Sequence, residues 1–183
     1  LMENNFIYLD NASTTPLSNN VLNIINSTYR NYWHNPSSTY ELGIKCSTFL
    51  EKIRSNIAFI FDAEPEDIIF TSGSSESTSI VFSKIHETFK KGRVVITNVE
   101  HQATKICANK LRNQSWDICE WTVNNDGILN ISNIDKTLTK ETKLASIIWG
   151  QSEIGTIQPV QFIGSNCEEL NIMFHIDGTQ ILS

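Results

Sequence analysis

Leu144-Ala145-Ser146-Ile147-Ile148-Trp149 is the run on which the fold turns. It is apolar at nearly every position, too short for an ordinary helix, and lacks the in-out alternation of a half-wet strand. Such a run reads as a strand buried on both faces, the mark of a parallel sheet covered by helices. Its surroundings agree. Ile131 to Leu138 before it reads as a short helix, and Pro159 after it sits where a helix can begin and run to about Leu170. Beyond that helix the apolar run Ile172 to Ile176 is a further strand.

Working back from the same point, Asn125-Asp126-Gly127 makes a turn, Ile118 to Val123 a strand, Gln102 to Leu111 a helix, and Val94-Val95-Ile96 another strand. Ile68-Ile69-Phe70 reads as a strand that runs into Thr71-Ser72-Gly73-Ser74-Ser75-Glu76-Ser77, where a helix starts. A turn, Asp62 to Asp67, precedes it. Nearer the N-terminus, Phe6 to Leu9 reads as a short strand, and Ser18 opens a helix whose face carries Val21, Leu22, Ile25, Tyr29 and Tyr32. The polar turn His34 to Ser38 separates that helix from a longer one reaching about Phe61. Strands alternating with helices predict an α/β fold, a largely parallel sheet with flanking helices. Ligands of such sheets bind beyond the carboxyl ends of the strands, which points to the loops after Phe70, Ile96, Trp149 and Ile176.

Composition narrows the function classes. The 183 residues are 40% hydrophobic, enough to bury a sizeable core. Fourteen Lys and Arg against 20 Asp and Glu give a net charge of -6, with no basic cluster longer than Lys90-Lys91-Gly92-Arg93, so no nucleic-acid or anionic-membrane surface is expected. No apolar run nears the ~20 residues of a membrane span, and the N-terminus lacks a signal-peptide pattern. A cytoplasmic location is expected. Cys46, Cys107, Cys119 and Cys167 form no Cys-x-x-Cys pair and no metal-ligand spacing with histidine. They are expected to be reduced thiols, Cys46 a small core residue, and no metal site is expected.

Three strand-to-helix junctions carry residues suited to chemistry. At the first, Gly73 permits a tight turn, and Ser74 and Ser75 offer hydroxyls beside the free backbone N–H groups and positive dipole of a helix start, an anion site fit for a phosphate. An ordinary serine N-cap, with Glu76 answering the dipole, uses the same residues. At the second, His101 is placed either to stack on a flat ring and move protons or simply to cap a helix. At the third, Asp177 ends a buried strand. It requires a partner there, such as a protonated pyridine nitrogen, an arginine or a helix N-terminus.

In order along the chain, Tyr8-Leu9-Asp10-Asn11-Ala12-Ser13-Thr14-Thr15-Pro16, Asn35-Pro36-Ser37-Ser38, Ile69 to Ser77, Glu100-His101, Glu153-Ile154-Gly155-Thr156-Ile157-Gln158 and His175-Ile176-Asp177-Gly178-Thr179-Gln180 together resemble the cysteine desulfurases of the class V superfamily of pyridoxal phosphate (PLP) enzymes. The resemblance implies a type I PLP-transferase large domain, incomplete here, with residues 1–15 an N-terminal segment and 16–183 a partial PLP-binding domain. It implies that Ser74 and Ser75 hold the PLP phosphate and that His101 stacks on the ring and assists proton transfer. It further implies that Asp177 pairs with the ring nitrogen and Gln180 bonds the phenolic oxygen. In the family, cysteine becomes alanine and its sulfur passes to an enzyme cysteine.

Three differences from the family stand out, one being that the family's sulfur-accepting cysteine lies farther along than these residues, so none of Cys46, Cys107, Cys119 and Cys167 is assigned that role. Gln151-Ser152 occupies the place of two asparagines, and the shorter serine lacks an amide's paired donor and acceptor. The family's Schiff-base lysine follows the aspartate strand in a Ser-Gly-His-Lys segment, and residues to Ser183 do not include it. The expectation is therefore a family member inactive by itself; the alternatives are the N-terminal half of a split desulfurase, a non-catalytic binding or remnant module, and a generic phosphate-binding domain. The expected partner is a second copy in a homodimer, or a chain that supplies the C-terminal half.

Overall fold

The structure, a computed structural model, describes residues 7–181. The chain falls into two compact units that meet at Phe70 and Thr71.

In the first unit, Ser18 caps helix α1 (Asn19–Asn31), its Oγ accepting a hydrogen bond from the Val21 N–H at 3.3 Å. Helix α2 (Glu41–Ile60) follows the turn at Asn35 to Ser38. Gly43 allows its first turn to lie against that segment, because a Cβ there would come 2.5 Å from the Ser38 carbonyl oxygen. Cys46 is buried on α2, the expected core position. The Tyr32 and Phe49 rings stack 3.9 Å apart.

Two expected strands are not formed. Phe6 lies outside the described residues, and Ile7 to Leu9 is irregular, with the Tyr8 hydroxyl donating to the carbonyls of Asp10 and Thr14. Ile68 to Phe70 is likewise irregular. Its apolar run has no neighbouring ladder; the Arg54 guanidinium donates to the Ile68 carbonyl and sits 4.8 Å from the Phe70 ring centre. An apolar tripeptide becomes a strand only where another strand meets its backbone.

The second unit holds helix α3 (Ser74–Phe89), strand β1 (Arg93–Thr97), helix α4 (Gln102–Arg112), strand β2 (Asp117–Trp121), the single-turn helix α5 (Ile134–Thr137), strand β3 (Thr142–Ile148), helix α6 (Val160–Glu169) and strand β4 (Met173–Asp177). All strand pairs are parallel and the order is β2-β1-β3-β4. Val94, Ile96 and Leu144 pack on one face against Phe82 and Ile85 of α3 and Leu111 of α4. Val95, Ala145 and Ile147 pack on the other face against Ile134, Ile163 and Cys167. β3, from which the fold was read, is therefore covered on both sides.

This order creates one special place. From β1 the chain crosses by α4 to β2 on one side, whereas from β3 it crosses by α6, on the opposite face, to β4 on the other side. The loops leaving β1 and β3 diverge, and a crevice opens between the carboxyl ends of these neighbouring strands. Gln158 anchors the loop after β3, its Oε1 accepting from the Leu129 N–H at 2.9 Å and its Nε2 donating to the Gly127 carbonyl at 2.6 Å.

Ile147→Ala should destabilise the protein by about 2–5 kcal/mol, since Ile147 is fully buried between sheet and helices. Ile106→Ala, on the exposed face of α4, should cost less than about 1 kcal/mol. Urea denaturation of both variants checks this, and equal losses would contradict the packing described.

Candidate functional site at the carboxyl edge of the sheet

Helices α3 and α4 both begin at the edge where the strands end, because each runs back along the sheet to feed the next strand. Ser74, Ser75, His101 and Asp177 are thereby brought to one edge of one unit.

At the start of α3 the capping residue is Gly73, with φ 155° and ψ 178°, a conformation nearly confined to glycine. No atom lies within 4 Å of where its Cβ would be, so backbone shape rather than space demands glycine. Glu76 folds back over the loop, its Oε2 accepting from the Ser72 N–H at 2.6 Å and the Ser72 hydroxyl at 2.8 Å. Those bonds, the backbone one foremost, hold its carboxyl below the usual range. Thr71 and Ser77 join hydroxyls at 2.9 Å. Glu76 is thus committed to Ser72, and no side-chain cap occupies the helix start at Ser74 and Ser75. Their N–H groups precede the first intrahelical bond, which Glu76 N–H makes to the Gly73 carbonyl.

His101 caps α4, its Nδ1 accepting from the Ala103 N–H at 3.2 Å. An accepting Nδ1 places the proton of the neutral ring on Nε2, which the cap leaves unused. The capping alternative and an exposed, chemically available nitrogen therefore coexist in one residue.

Asp177 closes β4, half-buried, opposite Ile148 in the β3 register. Its Oδ1 accepts from the Thr179 N–H at 3.1 Å and the Thr179 hydroxyl at 2.5 Å. None of the three ion pairs among the described residues involves it, so no arginine is paired with it there, while its bond from the Thr179 N–H is of the kind a capping residue makes at the start of a turn. Gln180 follows in the exposed turn after the strand.

Sequence reasoning left three neighbours without a role. His175 lies two residues before Asp177, on the same strand face, and its Nδ1 is hydrogen-bonded at 2.8 Å to the buried Ser146 hydroxyl. Burial lowers its pKa, against the opposing pull of the Asp177 charge, and favours the neutral ring. The period of two along a strand was the available signal. Glu100, buried at 4% exposure, accepts through Oε1 from the Thr97 hydroxyl and the Ile148 N–H, both at 2.7 Å. Its Oε2 is buried with no hydrogen-bond partner. No pattern marks a glutamate as buried; it emerges only from the parallel pairing of β1 and β3.

A cleft of about 490 Å³ opens at this crevice, lined by Asn98, Glu100, His101, Lys105, Gln151 and Ser152 among others. Gln151 commits its side-chain oxygen to the N–H groups of Glu153 and Ile154, at 2.6 and 2.8 Å, and so shapes the loop. Ser152 remains beside the cleft. The cysteines are free thiols, and burial pushes Cys167 up to about 11.

The sequence matches the Aminotransferase class-V family over residues 7–183. The chain belongs to that family. It is 35% identical over 177 residues to the mitochondrial cysteine desulfurase of Candida maltosa, covering 95% of this chain and 37% of that enzyme. To cysteine desulfurase IscS of Neisseria meningitidis it is 31% identical, covering 95% of this chain and 44% of that protein. Among solved structures, a NifS-like protein superposes with a TM-score of 0.89 at 29% identity, over 93% of this chain and 48% of that one. A structure described as SspA in complex with cysteine gives 0.83 at 27% identity, over 92% and 49%. The chain spans less than half the length of these relatives. This class V chain is cysteine desulfurase-like, and its family is PLP-dependent. Among the described residues no helix is long and apolar enough to cross a membrane.

Burial raises the Glu100 carboxyl from an ordinary 4.5 to about 7. The folded state then binds this proton more tightly than the unfolded chain. The resulting stability is full below pH 4.5 and is lost as the pH rises through 7. Across that window the wild type should lose up to about 3 kcal/mol that Glu100→Gln does not. Urea denaturation at a series of pH values measures the difference; parallel profiles would contradict it.

Proposed function

We propose that the chain supplies the phosphate, ring-face and ring-nitrogen contacts of a PLP site, and that the whole protein is a cysteine desulfurase converting cysteine to alanine with transfer of its sulfur. The observation that carries this reading is the half-buried Asp177 carboxylate without a cation, on the same edge as a helix start whose two serines are not used for capping. These features fit a ligand that carries an anion at one end and a protonated aromatic nitrogen at the other. The ordered likeness to cysteine desulfurases supports the same choice.

Each residue has a physical task. The Ser74 and Ser75 hydroxyls, with the first N–H groups and the positive end of α3, bind the phosphate. Asp177 Oδ2 accepts from the ring nitrogen and keeps it protonated, while Thr179 holds Oδ1 in place. Gln180 donates to the phenolic oxygen. His101 lies against the ring face, oriented by its bond from Ala103, and exchanges protons through Nε2. When bound, PLP supplies an electron sink for bond breaking at the amino acid substrate. The PLP-binding part is proposed to include residues 16–183, with 1–15 a separate N-terminal segment.

A second copy of the chain is the proposed partner. Val21, Leu22, Ile25 and Tyr29 on α1 are 42%, 42%, 49% and 78% exposed, an apolar stripe suited to such an interface. Light scattering should report a dimer for the wild type and more monomer for Ile25→Asp. Four free thiols fit a reducing compartment such as the cytoplasm.

Titrating PLP into the purified protein, followed by its absorption and by thermal shift, tests the site. Asp177→Ala should weaken binding about tenfold or more, because it removes a charge-assisted hydrogen bond, and Ser75→Ala should weaken it by a smaller factor. In the whole protein, alanine release from cysteine should fall with both variants. Unchanged PLP affinity in Asp177→Ala would overturn the assignment.

A further inference from the structure

Residues 98–101 carry the chain from the end of β1 to the start of α4, and they are tied to both neighbouring strands. On the β2 side the Asn98 N–H donates to the Trp121 carbonyl at 3.1 Å, and Asn98 Oδ1 accepts from the Val123 N–H at 3.2 Å. On the β3 side Glu100 Oε1 accepts from the Ile148 N–H, and it also takes the Thr97 hydroxyl. The β1–β3 ladder has ended by then at Ile96 and Ser146, so this carboxyl oxygen stands where a strand carbonyl would otherwise be. The loop is a strap across the ends of three strands.

The strap requires a costly burial. Glu100 is almost fully buried and enters none of the three ion pairs among the described residues. A connection that only had to start a helix would need no more than a small polar cap. What Glu100 adds is an external reference for the helix start. The bond from the Ala103 N–H to His101 Nδ1 fixes the ring relative to α4 alone. Ala108 and Leu111 hold the far end of α4 to the sheet. Glu100, adjacent to His101, fixes the near end against β3, whose following loop lines the same cleft as His101 through Gln151 and Ser152.

We propose that Glu100 is a positioning residue for His101: its Oε1, with Asn98 on the opposite side, sets the start of α4 against β3 and so holds the imidazole where it meets a ligand's ring face. The ring contact rests on the PLP reading above; the strap does not. Oε1 accepts whether or not a proton sits on Oε2, so the task asks for an acceptor on a side chain of this length and not for a charge. Glutamine meets that demand. Alanine leaves the buried Ile148 N–H without its partner.

Amide hydrogen exchange in the protein without PLP reads the strap. Exchange at Ile148 should rise about tenfold or more in Glu100→Ala and stay within about threefold of the wild type in Glu100→Gln. An unchanged Ile148 rate in Glu100→Ala would overturn the proposal whether or not PLP binds. The circular dichroism that bound PLP acquires from its asymmetric surroundings reads the ring contact. It should weaken in Glu100→Ala, with PLP affinity down about tenfold, and both should return in Glu100→Gln. Thr97→Val keeps the side-chain shape and removes the hydroxyl bond to Oε1; it should move both readings the same way by less, and it carries the test if Glu100→Ala does not fold. Thr142→Ala removes a bond from the Thr139 N–H to a buried hydroxyl at the opposite end of β3, and should leave the PLP signal unchanged. A PLP signal kept in Glu100→Ala despite faster exchange, or lost equally in Thr142→Ala, would overturn the positioning role and leave the PLP reading standing. A wild type that binds no PLP would defeat that reading and the ring contact with it, while the strap is still judged by exchange.

Discussion

Parallel pairing of β1 with β3, followed by departure of the chain in opposite directions, is the constraint on which the rest depends. Backbone groups at the end of a parallel ladder lose their partners when one strand leaves. Here the Glu100 carboxylate replaces the missing backbone acceptor, and the loop carrying His101 is held at the mouth of the crevice as a result. The neighbouring ladder brings Asp177 to the same level. One hydrogen-bonding problem and its solution thus position two of the candidate residues.

Charge is distributed along this edge with little internal cancellation. α3 presents its positive end, with Glu76 turned back upon Ser72 instead of covering Ser74 and Ser75. Asp177 and Glu100 take part in none of the three ion pairs among the described residues. The buried thiols, Cys167 pushed up to about 11, play no part in that balance.

Much of this was legible from residue order alone. β1, α4, β3, α6 and β4 form within a residue or two of their expected bounds, because each combines an apolar period with a clear stop such as Gly92, Gly127 or Pro159. Ile68 to Phe70 and Ile7 to Leu9 carry the same apolar content but meet no ladder, and strand formation is decided by the neighbour. Ser74, His101 and Asp177 were visible as ends of elements. Glu100, Ser146 and His175 were not, since burial of a polar side chain depends on which strands the topology places side by side.

The central claim is that the carboxyl edge of this sheet holds PLP with its ring nitrogen protonated at Asp177. The nitrogen chemical shift of ring-labelled PLP bound to the protein reads that proton directly. The account predicts a pyridinium shift in the wild type across neutral pH and loss of the pyridinium in Asp177→Asn. A pyridinium shift that persists in Asp177→Asn, or an unprotonated ring in the wild type, would contradict it.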